Sequence, residues 1–159
     1  MTIPISELDE DIKEAICTIK VTINDQKKKF NIKDDLVIDY ENIETEMEEF
    51  PNKFYLWSML YSEIKEQLAV VDKKIKKRKG IVYGDILKQG GKSLRRADIA
   101  DLVEIDTMFN ELEASKIILD KQSQKLWFTL EALRMKNDNL RSLSGFKKQE
   151  LFQAGQSTA

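Results

Sequence analysis

From Phe54 onward the apolar positions fall into a regular rhythm. Phe54, Trp57, Tyr61, Ile64, Leu68, Val71 and Ile75 follow one another at alternating steps of three and four, which is the spacing of one face of an α-helix. The pattern predicts a helix over 54–79 that packs along its whole length, ended by Gly80. A second stripe runs through Phe109, Leu112, Leu119, Leu126, Leu130, Leu133 and Leu140, broken by Lys116, Ser123 and Asn137 where apolar residues are expected. It predicts a long helix over 106–143. Asp106 is placed to cap it by accepting from the free amide of Met108 or Phe109.

The first fifty residues carry a different period. Cys17, Ile19, Val21 and Ile23 alternate with Thr18, Lys20 and Thr22, and after Asn24-Asp25-Gln26 the alternation resumes through Lys28, Phe30 and Ile32. Period two with a turn between predicts a β-hairpin over 16–32. Asp39 then offers an N-cap for a short helix over 39–50, which Pro51 is expected to break. The expected fold class is mainly α, with long amphipathic helices in a helical-hairpin or coiled-coil-like oligomer beside a small N-terminal mixed unit. Residues 1–50 form that acidic unit. Residues 51–159 form a helical domain made of helix 54–79, a basic linker over 80–97 and helix 106–143. Polar residues within the second stripe would fix register and partner number. A helix over 106–143 is also too long to bury its stripe against a partner of about 25 residues in the same chain. That mismatch predicts self-association through Leu112, Leu119, Leu126, Leu130, Leu133 and Leu140, or a bend near Ser123.

Charge changes the functional picture more than composition does. The chain of 159 residues has a formal net charge of −2, yet Lys73, Lys74, Lys76, Lys77, Arg78, Lys79, Lys88, Lys92, Arg95 and Arg96 crowd one stretch against the single acid Asp85. Such a block is the electrostatic footprint of a phosphate-binding surface, although a run of lysines is as often a solvated helix face. Tyr83, next to the block, is placed to stack on an exposed base. Trp57 and Tyr61 sit on the packing stripe and read as core. Trp127 lies beside its stripe and is open to either reading. No groove-reading module is evident, so single strands bound with little sequence preference are the expected ligand.

Several classes of chemistry are disfavoured. The chain has no histidine and one cysteine, which removes the usual catalytic triads and zinc sites. Gly84 followed by Gly90-Gly91-Lys92-Ser93 falls short of a P-loop, with six residues where the motif requires four. No enzyme, cofactor or metal is expected. No apolar run approaches a membrane span, and cytoplasmic surroundings are expected.

The order of these features resembles a known family. The helix ending in Ile75-Lys76-Lys77-Arg78, the glycine-containing linker, Ala97-Asp98, Ile105-Asp106-Thr107, the leucine-rich helix and the terminal Leu151-Phe152-Gln153-Ala154-Gly155 together resemble the UvsY-type recombination mediators of T-even phages and related phage proteins. The resemblance covers about residues 36–155. It implies an all-helical homo-oligomeric ring, heptameric in the known case, that binds single-stranded DNA, displaces a single-strand-binding protein and loads a RecA-like recombinase in the host cytoplasm. It assigns phosphate contact to Lys76 and Arg78, with Lys73, Lys77, Lys79, Lys88, Lys92, Arg95 and Arg96 widening the track. The alternative expectation is a structural or scaffolding helical phage protein without nucleic-acid binding.

Overall fold

The computed structural model describes residues 14–15, 17–23, 26–89 and 96–156. Among them are a two-stranded antiparallel sheet, β1 (Thr18–Ile23) and β2 (Gln26–Asn31), and four helices. These are α1 (Lys33–Leu36), α2 (Ile43–Lys88), α3 (Arg96–Glu104) and α4 (Thr107–Gln156). The predominantly helical class and the N-terminal hairpin are as the periodicities predict. Gln26, expected in the turn, is instead the first residue of β2, paired with Ile23. No described helix is long and apolar enough to cross a membrane.

The helix boundaries differ from those the sequence suggests. Pro51 does not break the chain's helical course but lies inside α2. A mid-helix proline removes one backbone hydrogen bond and costs about 3 kcal/mol. Side-chain packing offsets that here: Phe50 and Phe54, one turn apart on the same helix, stack across the proline with centroids 5.7 Å apart, and Ile43 and Trp57 are buried on either side. Gly80 likewise fails to terminate α2, because Val82, one turn from Arg78, packs on the cluster of Ile75, Val103 and Phe109. α2 therefore has 46 residues and α4 has 50. The length mismatch that predicted self-association is gone. Ser123, the expected bend, is buried within an uninterrupted α4.

The chain divides into two compact units, one of Met1–Tyr61 with Lys125–Ala159 and one of Ser62–Gln124. The first holds the hairpin. Its side chains alternate, with Ile19 and Val21 buried and Lys20 and Thr22 exposed. Trp57, at 1 % exposure, donates its indole N–H to Asp35 Oδ2 at 2.9 Å and meets Phe30 edge-on at 6.2 Å. Leu126, Leu130, Leu133 and Leu140 are buried in the protomer. Leu112 and Leu119, the other members of the stripe expected to build an oligomer, are half-buried.

Lys136 is the unexpected member of this core. It is 4 % exposed, and its ammonium donates to the carbonyls of Asp35 at 2.9 Å and Val37 at 2.5 Å. Glu46 Oε2 lies 2.5 Å away but receives no hydrogen bond of good geometry, so that contact is Coulombic. One cation thus fixes α4, the end of α1 with the residue that follows it, and the first turn of α2 together. Removing one partner of a buried pair leaves the other charge uncompensated, at a cost of about 3–5 kcal/mol. Lys136→Ala should lower unfolding stability by about 3 kcal/mol in urea titrations, and adding Glu46→Gln should recover part of the loss. A second prediction concerns Gly80, where an added Cβ meets nothing within 4 Å. Gly80→Ala should raise stability by about 0.5–1 kcal/mol in the same assay.

Candidate nucleic-acid interface

The second unit is a short helical assembly in which α2 and α4 run antiparallel. Asp72 pairs with Lys116 at 2.8 Å, Val71 and Leu112 pack on the Ile75–Val103–Phe109 cluster, and Arg78 reaches Asp106. Lys116, a polar break in the leucine stripe, is explained by this pairing, and its hydrogen bond to Asp72 raises its pKa. α3 supplies Ile99 and Val103 as further buried residues.

At 3.6 residues per turn, Ile75 pointing inward directs Lys73, Lys77, Gly80, Gly84 and Lys88 outward, with Lys74 and Lys76 on the flanks. Lys73, Lys74, Lys76, Lys77, Lys79 and Lys88 are all exposed. Among the described residues, Lys73, Lys74, Lys76, Lys77 and Lys88 form no ion pair. Lys79 lies over the Phe109 ring at 5.0 Å, a cation–π contact that holds its charge beside Tyr83. Tyr83 is 45 % exposed and, with Lys79, Ile99, Ala100, Val103 and Glu104, lines a cavity of about 260 Å³. A larger groove of about 490 Å³ has an apolar floor of Ile81, Met108 and Leu112 and a rim that includes Lys74 and Lys77. Lys74, counted in the basic block but not among the expected phosphate contacts, is as exposed as its neighbours.

Arg78 is placed differently from the other cations. Its guanidinium makes a two-point contact with Asp106, Nε to Oδ1 at 2.8 Å and Nη2 to Oδ2 at 2.6 Å. The same Oδ1 accepts from the Phe109 amide at 2.8 Å, which is the N-cap that the sequence predicts. Arg78 and Asp106 side chains are 29 % and 16 % exposed. The fork that would grip a phosphate is already filled, so Arg78 positions the start of α4. Lys92 and Arg95, with the Gly90-Gly91-Lys92-Ser93 segment, lie outside the described residues, as does the side chain of Arg96. Trp127, left open by the sequence, is 47 % exposed and meets Phe128 edge-on at 5.0 Å. Among the described residues no group of three or more acidic, cysteine or histidine side chains is arranged to hold a metal.

Comparison with known proteins gives no family model, no curated protein and no solved structure that matches the chain.

The Arg78 hydrogen bond, aided by the Phe109 amide, pushes the Asp106 pKa down to about 2 from an ordinary 3.8. A carboxylate depressed on folding contributes stability that is complete above its unfolded pKa and disappears as pH falls through the folded one. Stability from this pair should therefore be constant above about pH 4 and decline from pH 4 to about pH 2. Comparing urea midpoints of the parent and Asp106→Asn over that range checks it: the parent should fall more steeply, and the variant should start lower at neutral pH.

Proposed function

We propose that this protein is a non-enzymatic single-stranded DNA-binding protein of the recombination-mediator kind, which assists exchange of a single-strand-binding protein for a RecA-like recombinase. The observation that carries the proposal is the set of exposed lysines on one stretch of α2 that make no ion pair among the described residues: Lys73, Lys74, Lys76, Lys77 and Lys88. Cations without protein partners release counterions on meeting phosphates, which gives affinity without sequence selectivity. Lys79 and Tyr83, side by side at the cavity mouth, suit one phosphate and one stacked base. The order of sequence features that resembles the UvsY-type mediators supports the same reading. Within it Lys76 is a contact residue, whereas Arg78 positions α4.

A second reading has one specific observation behind it. Phe128, Met135 and Phe146 are exposed on α4, and large exposed apolar residues favour an assembly or scaffolding role. Repetition of a basic track by self-assembly would also multiply a weak affinity, so self-assembly alone does not separate the two readings. DNA binding does.

Fluorescence-anisotropy titrations of a labelled single-stranded oligonucleotide at several salt concentrations test the proposal. The parent protein should bind with a log–log salt slope of about −0.7 per phosphate neutralised. Lys73→Ala, Lys76→Ala and Lys77→Ala combined should weaken binding and make the slope shallower by about 2. Arg78→Ala should lower stability while leaving the slope of the folded protein unchanged. Absence of binding by the parent at low salt would leave the scaffolding reading as the better account.

A further inference from the structure

The hairpin carries a second set of cations that the α2 track does not include. Its register pairs Ile19 with Phe30 and Val21 with Lys28 on one face, and Thr18 with Asn31, Lys20 with Lys29 and Thr22 with Lys27 on the other. Burial of Ile19 and Val21 turns the first face inward, with Lys28 exposed at its margin. The outward face is therefore Thr18, Lys20, Thr22, Lys27, Lys29 and Asn31, with three cations and no carboxylate.

Lys20 and Lys29 stand directly opposite one another, where side chains are about 5 Å apart at Cβ and like charges oppose pairing. Neither they nor Lys27 form an ion pair with any described residue, and all three are exposed. A two-stranded hairpin is marginal by itself, so a repulsive pair at its centre works against the fold. The repulsion is relieved when an anion bridges the two ammonium groups.

The geometry supplies a place for one. Lys20 and Lys29 line a shallow cavity of about 210 Å³ with Glu14, Ala15 and Thr18. Lys125 of α4 is not part of that lining, but it donates to the carbonyls of two residues that are, Ala15 at 2.9 Å and Thr18 at 3.5 Å, which fixes a third ammonium group nearby. Two lysines in the lining and a third beside it, against the one carboxylate of Glu14, favour an anion and disfavour a metal ion. The face has no apolar side chain for a peptide to bury, whereas protein interfaces centre on apolar and aromatic contacts. Lysines at i and i+2 of a strand, about 7 Å apart, instead suit a ligand with charges repeated along its length.

We propose that the outward face of the β1–β2 hairpin, centred on the cavity lined by Lys20 and Lys29, is a second binding site for the phosphodiester backbone of a nucleic-acid strand. It rests on the single-strand reading above and adds to it a contact surface in the other compact unit. The site reads no bases, because it offers ammonium groups and no aromatic ring. Binding there also offsets the Lys20–Lys29 repulsion, so the hairpin is more stable in the complex than alone.

The test uses the full chain and the labelled single-stranded oligonucleotide, with three variants. Lys20→Thr, Lys27→Thr and Lys29→Thr combined place a good strand former at each site and should weaken binding, with a log–log salt slope shallower by about 2. The corresponding Lys→Arg triple should bind as the parent does, which separates loss of charge from loss of fold. The α2 triple Lys73→Ala, Lys76→Ala and Lys77→Ala should retain part of the affinity. Parent-like binding and slope in the threonine triple, with loss in the α2 triple, would overturn the hairpin site and leave the α2 reading standing. Loss in the threonine triple alone would support the hairpin site against the α2 track. No binding by the parent would overturn both. Displacement of the strand by polyglutamate as effectively as by unlabelled DNA of equal charge would overturn the phosphodiester assignment in favour of an acidic protein.

Discussion

The Arg78–Asp106 contact is the constraint on which the second unit turns. Asp106 has two oxygens and three donors to serve, the Arg78 Nε and Nη2 groups and the Phe109 amide. By meeting all three it starts α4, fixes that start against α2, and sets the depth at which Ile75, Val103 and Phe109 meet. A lysine at position 78 would bring one point charge where the site uses a planar fork. A glutamate at 106 would push the acceptors one methylene beyond the amide they cap. The same contact sorts the basic block into two kinds of residue. Arg78 is committed inward, and the lysines around it are left to face solvent.

Much of the fold is legible in the sequence where period and side-chain chemistry agree. Alternation around Ile19 and Val21 gives the hairpin, the three-four rhythm from Phe54 gives α2, and Asp106 before Thr107 gives the N-cap. The failures occur where a local rule met a tertiary contact. Pro51 and Gly80 are helix breakers by propensity, and neither the contacts of Trp57 with Asp35 and Phe30 nor the seat of Val82 can be read from neighbours in sequence. The leucine stripe of α4 was readable as buried at Leu126, Leu130, Leu133 and Leu140, but not what buries it.

The candidate site was legible as charge and less so as geometry. A count of lysines between 73 and 96 finds the track, yet it cannot distinguish Arg78 from Lys76, because the partner of Arg78 lies 28 residues away. Lys27 and Lys29 lie in a strand-like segment, but the alternation alone does not show that Lys29 stands opposite Lys20, which only the register of the hairpin sets. Lys136 carried no signal at all. A buried lysine looks like any other in a helix until the carbonyls of Asp35 and Val37, about a hundred residues earlier, are seen to converge on it.

The continuity of α2 through Lys88 bears on how the chain meets proteases. The run from Lys73 to Lys88 is among the densest sets of trypsin sites in the sequence, and a protease needs an extended backbone of several residues that a helix does not present. Cleavage there must wait for the end of α2 to unwind, so its rate measures the population of the opened form when closing is fast relative to cutting. The exposed lysines are thereby made into a built-in clock for local opening, at the segment where their charges are most concentrated.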